Sequence, residues 1–320
     1  MPKMLVVIFI SLITNLGHAI ENNLSNGFKS SVTKSSDTII TQDKFKIALE
    51  YMQNGEYINC IKLLNELADK NDRDAQYLLG LAYSEGLNEY IKKDNQKAMK
   101  WLLLAAQDDK RSLGREGSSQ NNAAFALGNL FLEIEVGDKI IYDPNEAAKW
   151  FKFAANKGHK GSQYNLGHLY YEGFKGVLGR EGIQQNRSES VKWWKMSAAQ
   201  GCVDSQFMIG EAYFIIEAVD GIVQDYNEAV KWFDIAAQNG DMDAQMHLGY
   251  MYYHGIGVEK NLLMAHQLFS LSATQGHKSA ITYKNLSESE LMKLRGNIPE
   301  LSNENELKDF NEENETLELS

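Results

Sequence analysis

The sequence predicts an all-α protein built as a solenoid of stacked helix pairs. Three observations carry that prediction. Five segments share one frame: AQYLLGLAY (75–83), AAFALGNLF (123–131), SQYNLGHLY (162–170), SQFMIGEAY (205–213) and AQMHLGYMY (244–252). Each is followed by a second frame: AMKWLLLAA (98–106), AAKWFKFAA (147–155), VKWWKMSAA (191–199), AVKWFDIAA (229–237) and AHQLFSLSA (265–273). The 320-residue chain also carries 25 Gly and only 3 Pro. That suits helices punctuated by glycine turns.

The chain opens with MPKMLVVIFISLITNLGHA (1–19). Lys3 gives a basic start, Leu5 to Ile13 an apolar run, and Gly17 and Ala19 the small residues of a cleavage site. This predicts a cleaved export signal and a periplasmic or secreted protein. The run is short for a membrane span, which needs about 20 residues, and no other long apolar stretch follows. Residues 20–42 are rich in Ser, Asn and Thr and read as a flexible linker. Residues 43–74 read as an N-terminal helix pair turning near Gly55-Glu56-Tyr57.

Residues 75–276 hold the five repeats. The marker glycines are Gly80, Gly128, Gly167, Gly210 and Gly249. In the first helix Ala75, Leu79 and Tyr83 fall on one stripe, and Gly80 beside it permits close approach of the paired helix. In the second helix Trp101 is expected to fill volume between layers, with Ala105 and Ala106 allowing close contact. Asp143, Asp225 and the Asn residues before other second helices suit N-caps, and Pro144 a first turn. Gly158, Gly201, Gly240 and Gly276 suit left-handed C-caps. One pair is too thin to bury a core, so stability comes from stacking. Residues 277–296 begin on frame at Ala280 but place Asn285 at the marker glycine, as a capping helix would. The tail, 297–320, carries eight acidic residues and one lysine and reads as disordered.

These motifs resemble the Sel1-like repeat family, a relative of tetratricopeptide repeats. The resemblance covers about 75–276 and implies a right-handed α/α superhelix whose first helices line a concave face. Gly86, Gly173 and Gly255 match the family's loop glycine, whereas Ile134 and Ile216 replace it. Leu268 stands where Trp is expected, and Asp109 replaces a closing glycine. The implied function is a non-enzymatic adaptor that binds a protein or peptide through that face, in the bacterial envelope or in host interaction, with virulence among the roles.

The stripe beside the core reads Tyr77-Leu81-Ser84, Phe125-Asn129-Leu132, Tyr164-His168-Tyr171, Phe207-Glu211-Phe214 and Met246-Tyr250-Tyr253. Aromatics with polar edges suit a protein interface. The candidate partner contacts are Tyr164, His168, Tyr171, Glu211, Phe214, Tyr250 and Tyr253, although the row containing Tyr77 and Tyr164 also suits packing between repeats. Glu85, Glu133, Glu172 and His254 follow one residue beyond.

Net charge is -11, which excludes a broad nucleic-acid surface. Two cysteines, Cys60 and Cys202, cannot build a disulfide framework or a four-thiolate zinc site. No metalloprotease, phosphate-loop, nucleophile-elbow or dinucleotide motif is present. No catalytic residue, cofactor or metal is therefore expected. His247 and His254 are a weak metal pair, and Ser31-Val-Thr-Lys34 is a chance match to a serine-nucleophile motif.

Two rival readings stand beside the adaptor. One is a cell-wall or β-lactam-interacting hydrolase or binding protein, implied by some cysteine-rich relatives. The other, for a eukaryotic source, is an endoplasmic-reticulum quality-control adaptor, with sequons at Asn23, Asn186, Asn285 and Asn314. The pentapeptide LGREG recurs at 113–117 and 178–182. It is read as a polar loop or as shared ligand contacts through Arg115 and Arg180. Oligomeric state leaves no sequence signal.

Overall fold

The computed structural model describes residues 36–87, 90–107, 118–132, 134–136, 139–141, 143–174, 181–215 and 223–296. The export signal, the acidic tail, Ile216, Asp109, Arg115 and Arg180 lie outside the described residues. Among the described residues thirteen helices follow in order. They are α1 (Ser36–Gln53), α2 (Tyr57–Ala68), α3 (Arg73–Glu85), α4 (Asn95–Ala106), α5 (Ser118–Leu132), α6 (Pro144–Asn156), α7 (Lys160–Glu172), α8 (Arg187–Ala198), α9 (Val203–Phe214), α10 (Tyr226–Gln238), α11 (Met242–His254), α12 (Leu262–Thr274) and α13 (Lys278–Gly296). Among the described residues no helix is long and apolar enough to cross a membrane.

The fold class is all-α, and among the described residues the one sheet is a small ribbon in a loop. Between α5 and α6, strands β1 (Ile134–Val136) and β2 (Lys139–Ile141) form an antiparallel ribbon with Ile134 opposite Ile141. Ile134 holds the loop-glycine position of its repeat. A β-branched residue there extends the chain where glycine would turn it. A second difference lies at the start. Helix α1 begins at Ser36, inside the stretch read as linker. Ser, Asp and Thr at 36–38 are residues that begin helices, and the apolar Ile39 and Ile40 follow.

The chain forms two compact units, the first running to Trp193 and the second starting at Trp194, so the boundary falls inside α8. In the first unit α1 packs on α2, α3 on α4, α5 on α6, and α3 also touches α5. Its core runs from Phe45 and Leu49 through Leu64, Leu79 and Leu102 to Leu127. A neighbouring cluster joins Phe151, Leu166, Leu169 and Trp193. In the second unit α9 packs on α10, α11 on α12 and α12 on α13. Phe233, Leu248 and Met251 form one cluster there, and Met246, Phe269 and Ala280 another.

The caps are where the residue types place them. Asp94, Asp143, Asn186, Asp225 and Asn261 each accept a backbone N–H three residues on. This satisfies a donor that the first helical turn leaves orphaned. Pro144 occupies the first turn of α6. At the other end Gly158 and Gly240 take φ of +86° and +90°, left-handed values that end α6 and α10. Asn71 takes φ +63° after α2, so the N-terminal pair closes by the same turn with asparagine in place of glycine.

Candidate functional site

Two devices fix each helix pair and so place the aromatic stripe. The first is a notch. A Cβ added at Gly80 would lie 2.6 Å from the Leu102 side chain, at Gly210 2.6 Å from Phe233, and at Gly249 2.8 Å from Phe269, and at Gly128 it would overlap the Phe151 ring. Gly167 is buried in α7 as well. At Gly80, Gly128, Gly210 and Gly249 the filler is the residue after the Trp position of the second-helix frame. Leu102, Phe151, Trp194, Phe233 and Phe269 are all 0% exposed, whereas Trp101 and Trp193 reach 8% and Trp150 and Trp232 are half-buried. The expected volume-filler is thus shifted by one residue from the reading that credited Trp101. Both positions fall on the inward arc of the helix, and the one aimed at the glycine is buried completely.

The second device is a staple. The N–H of each second-helix N-cap donates to the carbonyl of the aromatic three residues after the marker glycine. The pairs are Asp94 to Tyr83 (2.8 Å), Asp143 to Phe131 (2.8 Å), Asn186 to Tyr170 (2.7 Å), Asp225 to Tyr213 (3.0 Å) and Asn261 to Tyr252 (2.9 Å). The loops between them differ in length while this bond persists.

A buried glutamine links successive pairs, and the sequence reading missed it. Gln76, Gln163 and Gln245, four residues before the marker glycine, donate to Ala68 O (3.1 Å), Ala155 O (3.1 Å) and Ala237 O (3.2 Å). These carbonyls lie at the end of the preceding helix, where each also accepts a backbone N–H from the closing turn, and the glutamine adds a second bond across to the next pair. The amide oxygen of Gln245 then accepts from Gln275 (2.9 Å), and that of Gln206 from Asn239 (3.0 Å). The recurrence of Gln at this position was the available signal.

In the first unit the stripe is half-open. Tyr77 is 7% exposed and belongs to the core. Phe125 lies 4.8 Å from the His159 ring and 5.9 Å from Phe151. On α7, Tyr164, His168 and Tyr171 are all half-buried. Tyr164 meets His168 edge-on at 6.4 Å, and the Arg187 guanidinium sits 5.2 Å from the Tyr171 ring centre. Beside them Asn165 Nδ2 donates to Asn129 Oδ1 at 2.9 Å, across two first helices. His159 caps α7 by accepting the Ser162 N–H at 3.1 Å, and burial holds its pKa below the usual histidine value.

In the second unit the candidates are also half-buried, and each makes contacts within that unit. Phe214 packs edge-on against Tyr226 (5.7 Å), Phe233 (6.2 Å) and His247 (6.1 Å). Glu211 Oε1 meets His247 Nε2 at 3.1 Å, while His247 Nδ1 reaches Asp243 O at 2.8 Å. Helix α13 covers the last rung. Tyr250 meets Tyr283 at 5.7 Å. Tyr253 donates its hydroxyl to Glu290 at 2.5 Å, a bond that together with burial pushes its pKa up to about 12. His254 packs on Tyr250 at 4.3 Å, apart from His247 in its aromatic cluster.

Among the described residues no group of three or more His, Cys, Asp or Glu is placed to hold a metal. Both cysteines are free thiols, and burial pushes that of Cys60 up to about 12, which makes it a poor nucleophile. Of the second LGREG copy, Glu181 and Gly182 are described. The Glu181 carbonyl accepts from Asn145 Nδ2 at 2.8 Å, pinning the loop to the start of α6.

A family model for the Sel1 repeat matches residues 73–110, 121–159, 161–202, 203–241 and 243–277. Among solved structures, the chain is similar to a protective antigen present in uropathogenic Escherichia coli strains and displaying an SLR fold. Identity is 33% over 69% of this chain and 42% of that one, with a TM-score of 0.57. It is also similar to a Sel1 repeat protein from Oxalobacter formigenes, at 25% identity over 77% of this chain and 65% of that one, TM-score 0.58. The chain thus spans less than two thirds of either relative. No curated protein matches it.

Proposed function

The chain belongs to the Sel1 repeat family, whose repeats generally build protein-interaction scaffolds, and we propose that it is an exported adaptor with no chemistry of its own. Its partner is a protein or peptide that binds the first-helix face of the first unit, centred on α7. The observation that carries this reading is the row of half-buried aromatics with polar edges on α7, Tyr164, His168 and Tyr171. Phe214, Tyr250 and Tyr253 are half-buried as well and pack on rings or a carboxylate of neighbouring helices in their own unit. Half-exposed aromatics with polar tips are the side chains that dominate interface energies.

Beside them, the Asn165–Asn129 bond uses one half of each carboxamide. Asn129 Nδ2 and Asn165 Oδ1 remain as a donor and an acceptor, the pair that a peptide main chain presents in return. The leader-like residues 1–19 support export. The E. coli relative's description as a protective antigen supports a surface or host-facing role. Crosslinked capture tests the adaptor, run with the parent and a folded Tyr164→Ala/His168→Ala/Tyr171→Ala variant. A partner retained by the parent and lost by the variant is expected. Fractionation tests export, with the chain expected outside the cytoplasm.

A further inference from the structure

The first unit also holds a cleft away from the stripe, and its lining is chemically selective. It measures about 350 Å³ and lies between the start of α6, the end of α7 and the loop before α8. Small-molecule sites begin at roughly this size, ~300 Å³. The floor is apolar, with Ala148, Leu166, Leu169 and Ile183, continuous with the Phe151 and Trp193 cluster beneath. Tyr170 adds an aromatic ring. The polar lining is four carboxamides, Asn145, Gln184, Gln185 and Asn186, and among the described residues no charged side chain lines the cleft.

Three of those amides are held by one half and unspent at the other. Asn145 Nδ2 donates to Glu181 O at 2.8 Å, leaving Oδ1. Gln185 Nε2 donates to Tyr171 O at 2.7 Å, leaving Oε1. Asn186 Oδ1 accepts the Glu189 N–H at 2.9 Å, leaving Nδ2. Gln184 is exposed, and its amide makes no bond among the described residues. The lining therefore offers donors and acceptors together without charge, on groups whose orientation is already fixed. An anion or cation would find no countercharge among the described lining residues. A secondary amide carries one donor and one acceptor, and a short acyl group on it suits the aliphatic floor.

We propose that this cleft binds a small neutral molecule bearing a secondary amide, of the acetamido-sugar or acylated amino-acid amide kind. The site is separate from the protein-binding face and does not depend on it. The LGREG insertion acquires a role here, since Glu181 anchors the loop and Gly182 lines the cleft.

The test is a methyl NMR titration of the full chain, following Ile183, Leu166 and Leu169. The probes are N-acetylglucosamine and N-acetylalanine amide, with glucose and acetate as controls. Saturable shifts with either amide and none with the controls are expected, and the stronger of the two identifies the source. Gln184→Ala should weaken binding by ~tenfold without moving the melting temperature. Asn186→Asp keeps the helix cap but replaces the free donor with an acceptor, and should weaken it at least as much. Lys152→Ala on α6 should change nothing. Absent shifts, equal shifts with glucose or acetate, or unchanged affinity in both cleft variants would overturn the proposal.

Discussion

Gly128 faces the ring of Phe151 so closely that a methyl group at the glycine would overlap it. Gly210 and Gly249 stand in the same relation to Phe233 and Phe269. Helix pairing in this chain is thus a lock of a missing side chain against a bulky one, repeated along the sequence. The ring is buried at the helix interface and has no open space into which to swing.

Replacing Gly128 by Val should therefore destabilise the protein by about 1–3 kcal/mol, the cost of overpacking. Adding Phe151→Leu should restore part of the loss, since the smaller side chain vacates the notch. Denaturant unfolding of the two single variants and the double variant measures the coupling. Strict additivity would mean that the two residues do not share one site.

The glutamine link predicts a polar defect. Gln245→Leu conserves volume but removes the side-chain bonds to the Ala237 carbonyl, which keeps the Gly240 N–H, and from the exposed Gln275 amide. The expected cost is about 0.5–1.5 kcal/mol, the net contribution of an ordinary hydrogen bond. Faster amide exchange should appear at the α10–α11 turn first.

A pH effect follows from His159. Its pKa is lowered by burial, so the unfolded chain binds the proton more readily than the folded one. The stability it contributes is present above the ordinary histidine value of about 6.5 and is lost as pH falls through the folded value. Asn also caps a helix and does not titrate. His159→Asn should flatten the stability profile below about pH 6.5; an unchanged acid slope would assign it to other groups.

The Tyr253–Glu290 bond ties α13 to α11. Tyr253→Phe removes that bond and leaves the ring contacts with Phe269 and Tyr283. Hydrogen exchange in α13 should quicken while α9 and α10 keep their protection. Uniform loosening of the whole unit would show that α13 is part of the core rather than a lid on its end.

Much of this was legible in the residues. The marker glycines, the second-helix frame and the caps at Asp143, Asp225 and Asn261 each have a local cause that a linear sequence displays. Asn285, at the marker position, lies within α13, the last described helix. What stayed hidden depends on neighbours. Trp101 and Leu102 are both apolar and adjacent, so periodicity alone does not say which one meets Gly80. Tyr250 and Tyr253 look like open rungs until α13 is set against them. Gln76 and Gln245 read as surface residues by type, because their partners are carbonyls of a helix end in the preceding pair. The cleft's carboxamides come from α6 and from the loop before α8, which only the fold brings together.

The central claim is that the α7 face is where a partner protein lies. The direct measurement places a photoreactive side chain at His168 and, separately, at Lys152 on α6, which is exposed on a second helix. Both proteins are then irradiated in source cells or host material, and the crosslinks are resolved by mass spectrometry. The account predicts one discrete heterologous adduct at position 168, absent at 152 and lost when Tyr164 and Tyr171 are also changed to Ala. An adduct at 152 with none at 168, or one indifferent to those tyrosines, would contradict it.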